Sequence, residues 1–355
     1  MSNLHQASRQ WANRPADERF KDLPDLKQAV LDRRNISYEG DIKVNTFKVE
    51  PQGETVVLNA YGKKLDLTHW SFGQLCRFGN APSAYLRTLP ANLVADNLNY
   101  SVPKNKEIAK VLLAYNGGAE VRAFTSTTYG RIWDIDVVKK VMGVCETNPS
   151  WHNPPAMAVN GSENAGLYAS DRDVFMFLVD EDHKLKVVNN NGKENELSRG
   201  FFVWNSEVGK ASFGLMTFLY NYVCGNHIVW GAQDVKEIRI RHSKNAPLTA
   251  FGEVIPKLKQ YVTSSIKEEE QALKKAVEYR PVKDRDGMVD WLTKNGFNKA
   301  IAESSITYAE EKEGDATSLW NIVQGITYLA REKTHIDNRL TLERQAGKLL
   351  NYVSR

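Results

Sequence analysis

The sequence predicts an α+β fold: an antiparallel β-rich sheet with packed helices in the N-terminal and central part, followed by an all-helical C-terminal region. Three observations carry this. Hairpin chemistry, Asn116-Gly117-Gly118, stands between two β-prone runs. Residues 235–242 alternate, with Ile238 and Ile240 on one side and Glu237, Arg239 and Arg241 on the other. From Pro256 to Tyr352, apolar residues recur at helical spacing.

Residues 1–35 read as a polar arm with one short helix. Ile42–Val49 and Thr55–Leu58 are β-prone and flank the turn chemistry of Pro51-Gln52-Gly53. Thr68 is an N-cap candidate for a helix through Phe78. Gly79-Asn80-Ala81-Pro82 breaks it, and a second short helix, Ser83–Leu89, ends at Pro90. The pair has the outline of a helix-turn-helix. A recognition helix presents about three or four base-reading side chains. This one offers only Arg87, so the pair reads as structural.

Lys110–Ala114 and Glu120–Phe124 form the predicted hairpin, and Leu167–Ser170, Val174–Val179 and Lys184–Val188 are further strands. Phe201–Trp204 is a short buried run, and Phe213–Cys224 reads as an apolar helix packed between layers. One long amphipathic helix covers Pro256–Tyr279 and is broken by Pro281 and Asp286-Gly287. Helices follow at Met288–Lys294, Lys299–Lys312, Ser318–Glu332 and Arg339–Tyr352, with Asp315 and Ser318 as N-cap candidates. The division expected is an arm at 1–35, an α+β core domain at 36–250 and a helical domain at 251–355.

Of 355 residues, 47 are basic and 43 acidic, giving a net charge of +4, which excludes coating of nucleic acid by bulk charge. No apolar stretch reaches the roughly 18 residues of a membrane span. The polar N-terminus is unlike a signal peptide, so no membrane association is expected. Cys76, Cys145 and Cys224 form no Cys-x-x-Cys pair and read as buried thiols in a reducing cytoplasm.

Motifs exclude several chemistries. The histidines are scattered without zinc-ligand spacing, and no phosphate loop, dinucleotide fingerprint or Gly-x-Ser-x-Gly elbow occurs. No cofactor is expected, and a non-enzyme is favoured. Asp134, Asp171, Asp173 and Glu207 leave open a metal-dependent nuclease, if folding brings their carboxylates onto Mg²⁺. Asp180-Glu181-Asp182 reads as a solvated hairpin end.

Interleaved basic and aromatic residues point elsewhere. Tyr129, Arg131 and Trp133 lie within five positions, followed by Lys139 and Lys140. Arg122 precedes them, Arg172 separates two aspartates, Lys210 lies between Trp204 and Trp230, and Arg239 and Arg241 share a strand face. Single-strand binding uses this mixture, because cations track phosphates while flat rings stack on bases. The candidate nucleic-acid-binding residues are therefore Arg122, Tyr129, Arg131, Trp133, Lys139, Lys140, Arg172, Lys210, Arg239 and Arg241, with Tyr129 and Trp133 as the stacking rings. Taken singly, each aromatic is better read as core than as binding surface, because aromatics dominate cores.

Three segments carry a family resemblance: 126–134 (Ser-Thr-Thr-Tyr-Gly-Arg-Ile-Trp-Asp), 168–175 (Tyr-Ala-Ser-Asp-Arg-Asp-Val-Phe), and 200–209 (Gly-Phe-Phe-Val-Trp-Asn-Ser-Glu-Val-Gly) with Phe218-Leu219-Tyr220 and Val223-Cys224-Gly225-Asn226. Over about residues 65–245 the chain resembles the phage/plasmid-like protein family, a domain of unknown function found on phages and conjugative elements. The resemblance implies a mobile-element protein in a bacterial cytoplasm and carries over no catalytic residue. Such elements encode ATP-independent single-strand annealing proteins, some of them ring-forming α+β proteins. The expectation is therefore a homo-oligomeric single-strand DNA-binding and annealing protein, its C-terminal helices serving assembly. The alternative is a non-enzymatic interaction or anti-defence protein with a host or phage protein partner.

Overall fold

The computed structural model describes residues 15–60, 62–115, 117–153, 166–221, 226–228, 237–332 and 336–353. In chain order the elements begin with β1 (Arg19–Phe20) and α1 (Leu23–Asn35). Asp22 caps α1 by accepting from the Asp25 amide at 2.9 Å, and the helix buries Leu26 and Val30. Then come β2 (Ser37–Lys43), β3 (Lys48–Gln52), β4 (Thr55–Ala60) and β5 (Lys63–Leu67). Next are α2 (His69–Phe78), capped by Thr68 as expected, α3 (Ser83–Leu86) and α4 (Ala91–Ser101). Arg87 is used within this helical group, its guanidinium donating to the His69 carbonyl at 2.8 Å.

β6 (Ile108–Tyr115) and β7 (Ala119–Ser126) form the predicted hairpin. They complete a six-stranded sheet of order β2-β6-β7-β5-β4-β3, antiparallel except for β5 against β7. Helices α2 and α4 close its core over Leu75, Val94, Leu98, Val111 and Val121.

The second sheet is larger. After α5 (Asp134–Glu146) come β8 (Trp151–His152), β9 (Leu167–Ala169), β10 (Val174–Val188), β11 (Glu194–Asn205), β12 (Phe213–Asn221), β13 (Asn226–Ile228) and β14 (Glu237–Ile240). The path is β1-β9-β10-β11-β12-β13, with β8 beside β10 and β14 beside β12. Two expected strands merge into one β10, interrupted by a register shift between Val179 and Lys184. Asp180 lies at that irregularity rather than at a solvated hairpin end: it is buried and accepts from His183 Nδ1 at 3.0 Å.

The expected helix over Phe213–Cys224 is the strand β12, paired from Phe213 to Asn221. It lies between β11 and β13/β14 and is buried on both faces. Burial on both faces gives a continuous apolar run without alternation, which periodicity cannot distinguish from a buried helix.

The C-terminal part is helical: α6 (Ala246–Thr249), a π-turn at Ala250–Val254, α7 (Ile255–Thr263), α8 (Lys267–Glu278), α9 (Arg285–Lys294), α10 (Lys299–Glu313), α11 (Leu319–Arg331) and α12 (Ile336–Leu349). The single helix expected over Pro256–Tyr279 is two, because extended Ser264 ends α7. Ser318 caps α11, whereas Asp315 instead accepts from the Thr317 amide in a local turn. Cys76 and Cys145 are buried, while Cys224 and Trp230 lie outside the described residues. No described helix is long and apolar enough to cross a membrane.

Candidate nucleic-acid interface

The two sheets meet at the turn after β11, where Asn205-Ser206-Glu207-Val208 is fully buried. Its backbone receives side chains from the six-stranded unit. Trp70 Nε1 and Gln74 Nε2 both donate to the Val208 carbonyl, at 2.9 and 3.0 Å. Tyr129 Oη donates to the Ser206 carbonyl at 3.0 Å. Stretches 126–134, 168–175 and 200–209, far apart in sequence, meet here, and Ser206 Oγ donates to the Arg172 carbonyl at 2.6 Å.

Glu207 organises the junction. One carboxylate oxygen accepts from Arg122 Nη1 and the other from the Asp134 amide, both at 2.9 Å. The second contact satisfies an otherwise unpaired N–H at the first turn of α5, where a negative charge also meets the positive end of the helix. Arg122 further donates to Ser37 Oγ at 2.9 Å. Arg131 donates through Nε to Glu39 at 2.6 Å and through Nη1 to the Glu207 carbonyl. Asp134 accepts from Asn205 Nδ2 at 2.7 Å, and burial, then the Glu207 charge, pushes its carboxyl well above the usual range. Arg33, at the end of α1, donates to the Ser170 carbonyl, and burial lowers its pKa.

Beside this junction lies a cleft of about 660 Å³ between α1, β2 and the start of α5. The Arg34 guanidinium sits 3.9 Å from the centroid of the Trp133 ring and donates to the Ser37 carbonyl. Tyr38, 56% exposed, lines the same cleft and is held edge-on by Tyr115. Lys139, Glu39 and Asp136 supply its remaining charges. Two flat rings, two cations and two carboxylates thus surround one open space.

The sequence-predicted residues fall into distinct settings. Trp133 and Lys139 come together in the cleft, and Lys140 is exposed next to it on α5. Arg122 and Arg131 are 4% and 6% exposed and are committed to carboxylate partners. Tyr129 is held by its Ser206 bond and stacks on His242 with centroids 4.9 Å apart. Burial lowers the His242 pKa to about 4. Lys210 pairs with Asp173 at 3.4 Å, and Arg172 with the exposed Asp171 at 3.4 Å. Arg239 pairs with Glu237 on its own strand, and Arg241 is exposed just beyond. Glu207, Asp134 and Asp173 each hold a junction partner, and among the described residues no three His, Cys, Asp or Glu side chains converge as metal ligands.

Sequence reasoning missed Arg33, Arg34, Tyr38 and Glu39. The signal was present: two adjacent arginines stand in the last turn of a helix, and a tyrosine and a glutamate follow early in the next strand.

Residues 156–332 match the model of a family described as Domain of unknown function (DUF932). The match contains the second and third segments quoted above and begins beyond the first. No curated protein and no solved structure matches the chain.

Proposed function

We propose that this chain is a single-strand nucleic-acid-binding protein of a mobile genetic element. In this reading it anneals strands without ATP and works as a homo-oligomer in the bacterial cytoplasm. One observation carries the binding reading: the half-buried Trp133, with the Arg34 guanidinium over its ring, shares an open cleft with the exposed Tyr38 and with Lys139. A base stacks on the accessible part of such a ring whatever its identity, and a neighbouring cation holds the adjacent phosphate. The mobile-element assignment rests on the sequence resemblance alone.

In mechanism, the strand crosses the cleft mouth between α1 and α5. Lys139 and Lys140 track its phosphates while Tyr38 and Trp133 hold bases by their faces. Edges of the neighbouring bases stay open to a complementary strand. Arg122 and Arg131 serve indirectly, by fixing β7 and the loop that presents Trp133.

Fluorescence anisotropy with a labelled single-stranded oligonucleotide tests this. Stacking is worth roughly 1–3 kcal/mol per base by alanine substitution, so Trp133→Ala is expected to weaken binding about five- to 150-fold. Lys139→Ala is expected to weaken it less and to flatten its salt dependence. Absence of binding by the wild-type chain at low salt overturns the reading. A near-neutral cleft gives the competing interaction-protein reading its support, and that reading predicts this absence.

A further inference from the structure

The two carboxylates of the cleft are unexplained by phosphate binding, because each repels a phosphate. Glu39 is anchored through one oxygen to Arg131 and is 32% exposed. Asp136 is half-buried on the first turn of α5, and its carboxylate has no ion pair or side-chain hydrogen bond among the described residues. Both line the same space as the Trp133 ring and Lys139. Arg34 is already placed over Trp133 and on the Ser37 carbonyl, which leaves Lys139 as the cation without an internal partner among the described residues.

A ligand that fits this set has a flat ring, hydrogen-bond donors on its edge and one phosphate. Cytosine, adenine and guanine carry an exocyclic amino group that donates to a carboxylate. Thymine and uracil offer one ring N–H between two carbonyl oxygens, and those oxygens face a carboxylate unfavourably. Resting on the single-strand reading above, we propose that the cleft selects for bases bearing an exocyclic amino group. Asp136 accepts from that group, Trp133 stacks on the ring, and Lys139 holds the attached phosphate. Asp136 is then a specificity-determining residue, and Glu39 is a fixed second acceptor whose position Arg131 sets. The chain would therefore prefer cytosine-rich over thymine-rich single strands.

The experiment compares full-length protein on labelled oligodeoxycytidylate and oligodeoxythymidylate of equal length, at one moderate salt concentration. A carboxylate accepts from the cytosine amino group and finds no such donor on thymine. At this open site the expected preference for the cytosine strand is about fivefold. Asp136→Asn is expected to reduce the ratio to about one by weakening the cytosine strand while leaving the thymine strand unchanged or tighter. The variant is conservative and half-exposed, and thermal unfolding checks that it is folded.

Equal wild-type affinities, or a ratio that Asp136→Asn leaves intact, overturn this inference while both strands still bind and still respond to Trp133→Ala. Failure of both strands to bind overturns the underlying reading instead. A strand source and a free-nucleotide source share the same chemistry, so deoxycytidine monophosphate is added as competitor. Weak displacement at matched nucleotide concentration supports a strand ligand, and full displacement overturns it.

Discussion

Glu207 shows how much of the junction one side chain carries. Its carboxylate meets Arg122 and the start of α5 together, 2% exposed. Removing one member of a buried ion pair leaves an uncompensated charge and costs about 3–5 kcal/mol. Glu207→Gln is expected to lose stability of that order in urea unfolding while keeping the side-chain shape. Asp134, its neighbour, behaves differently. Burial and the Glu207 charge hold its carboxyl pKa well above the usual range. The folded chain therefore keeps this proton where the unfolded chain has released it. Stability falls as pH rises from the ordinary carboxylate range through the raised value. Asp134→Asn keeps an acceptor for Asn205 and is expected to remove that fall, which unfolding curves across the pH range would read.

Among the elements, β11 and β12 show why a strand can look like a helix in sequence. Their register sets Trp204 opposite Gly214 and Gly200 opposite Phe218. A Cβ at Gly214 would overlap the Trp204 ring, and one at Gly200 would overlap Phe218. Each glycine lets a large ring lie flat across the neighbouring strand. Overpacking of this kind costs typically about 1–3 kcal/mol, and more where the backbone cannot shift. Gly214→Ala is expected at or above that range, since both elements are central and buried. Chemical unfolding followed by far-UV circular dichroism measures it. α1 makes the converse point. Its polar composition reads as an arm, yet Leu26 and Val30 are buried and its last turn supplies Arg33 and Arg34.

For the whole molecule, one long hairpin links two cores. The β10–β11 half near Val174 and Val203 packs with α1, α5 and α7. The distal half, through Leu185, Val187 and Leu197, packs with the helices after residue 266. Its turn is pinned there as well: Lys193 Nζ lies 2.5 Å from Glu313 Oε1, and Asn189 Nδ2 donates to the same carboxylate at 3.0 Å. A chain ending at Thr263 would expose Leu185, Val187, Leu197 and Leu219 together. Exposed patches of that kind drive association. The truncated protein is expected to aggregate on size-exclusion chromatography, where the full chain elutes as a defined species.

The sequence by itself determined the fold class, the β6–β7 hairpin, the Thr68 and Ser318 caps and the order of the C-terminal helices. These follow from local chemistry: turn residues, capping hydroxyls and helical periodicity act within a few positions. It also marked Trp133 and Lys139, because aromatic and basic residues were dense there. Only the tertiary structure decided which cations are free. Arg122 and Arg131 look like phosphate ligands in sequence, but Glu207 and Glu39 lie 85 and 92 positions away and claim them. The strand identity of β12 was also a tertiary decision, since burial on both faces erases alternation. The cleft itself joins the end of α1, β2 and the start of α5, about a hundred residues apart in the chain. Pairing of charges and enclosure of space depend on long-range contacts, which local spacing does not encode.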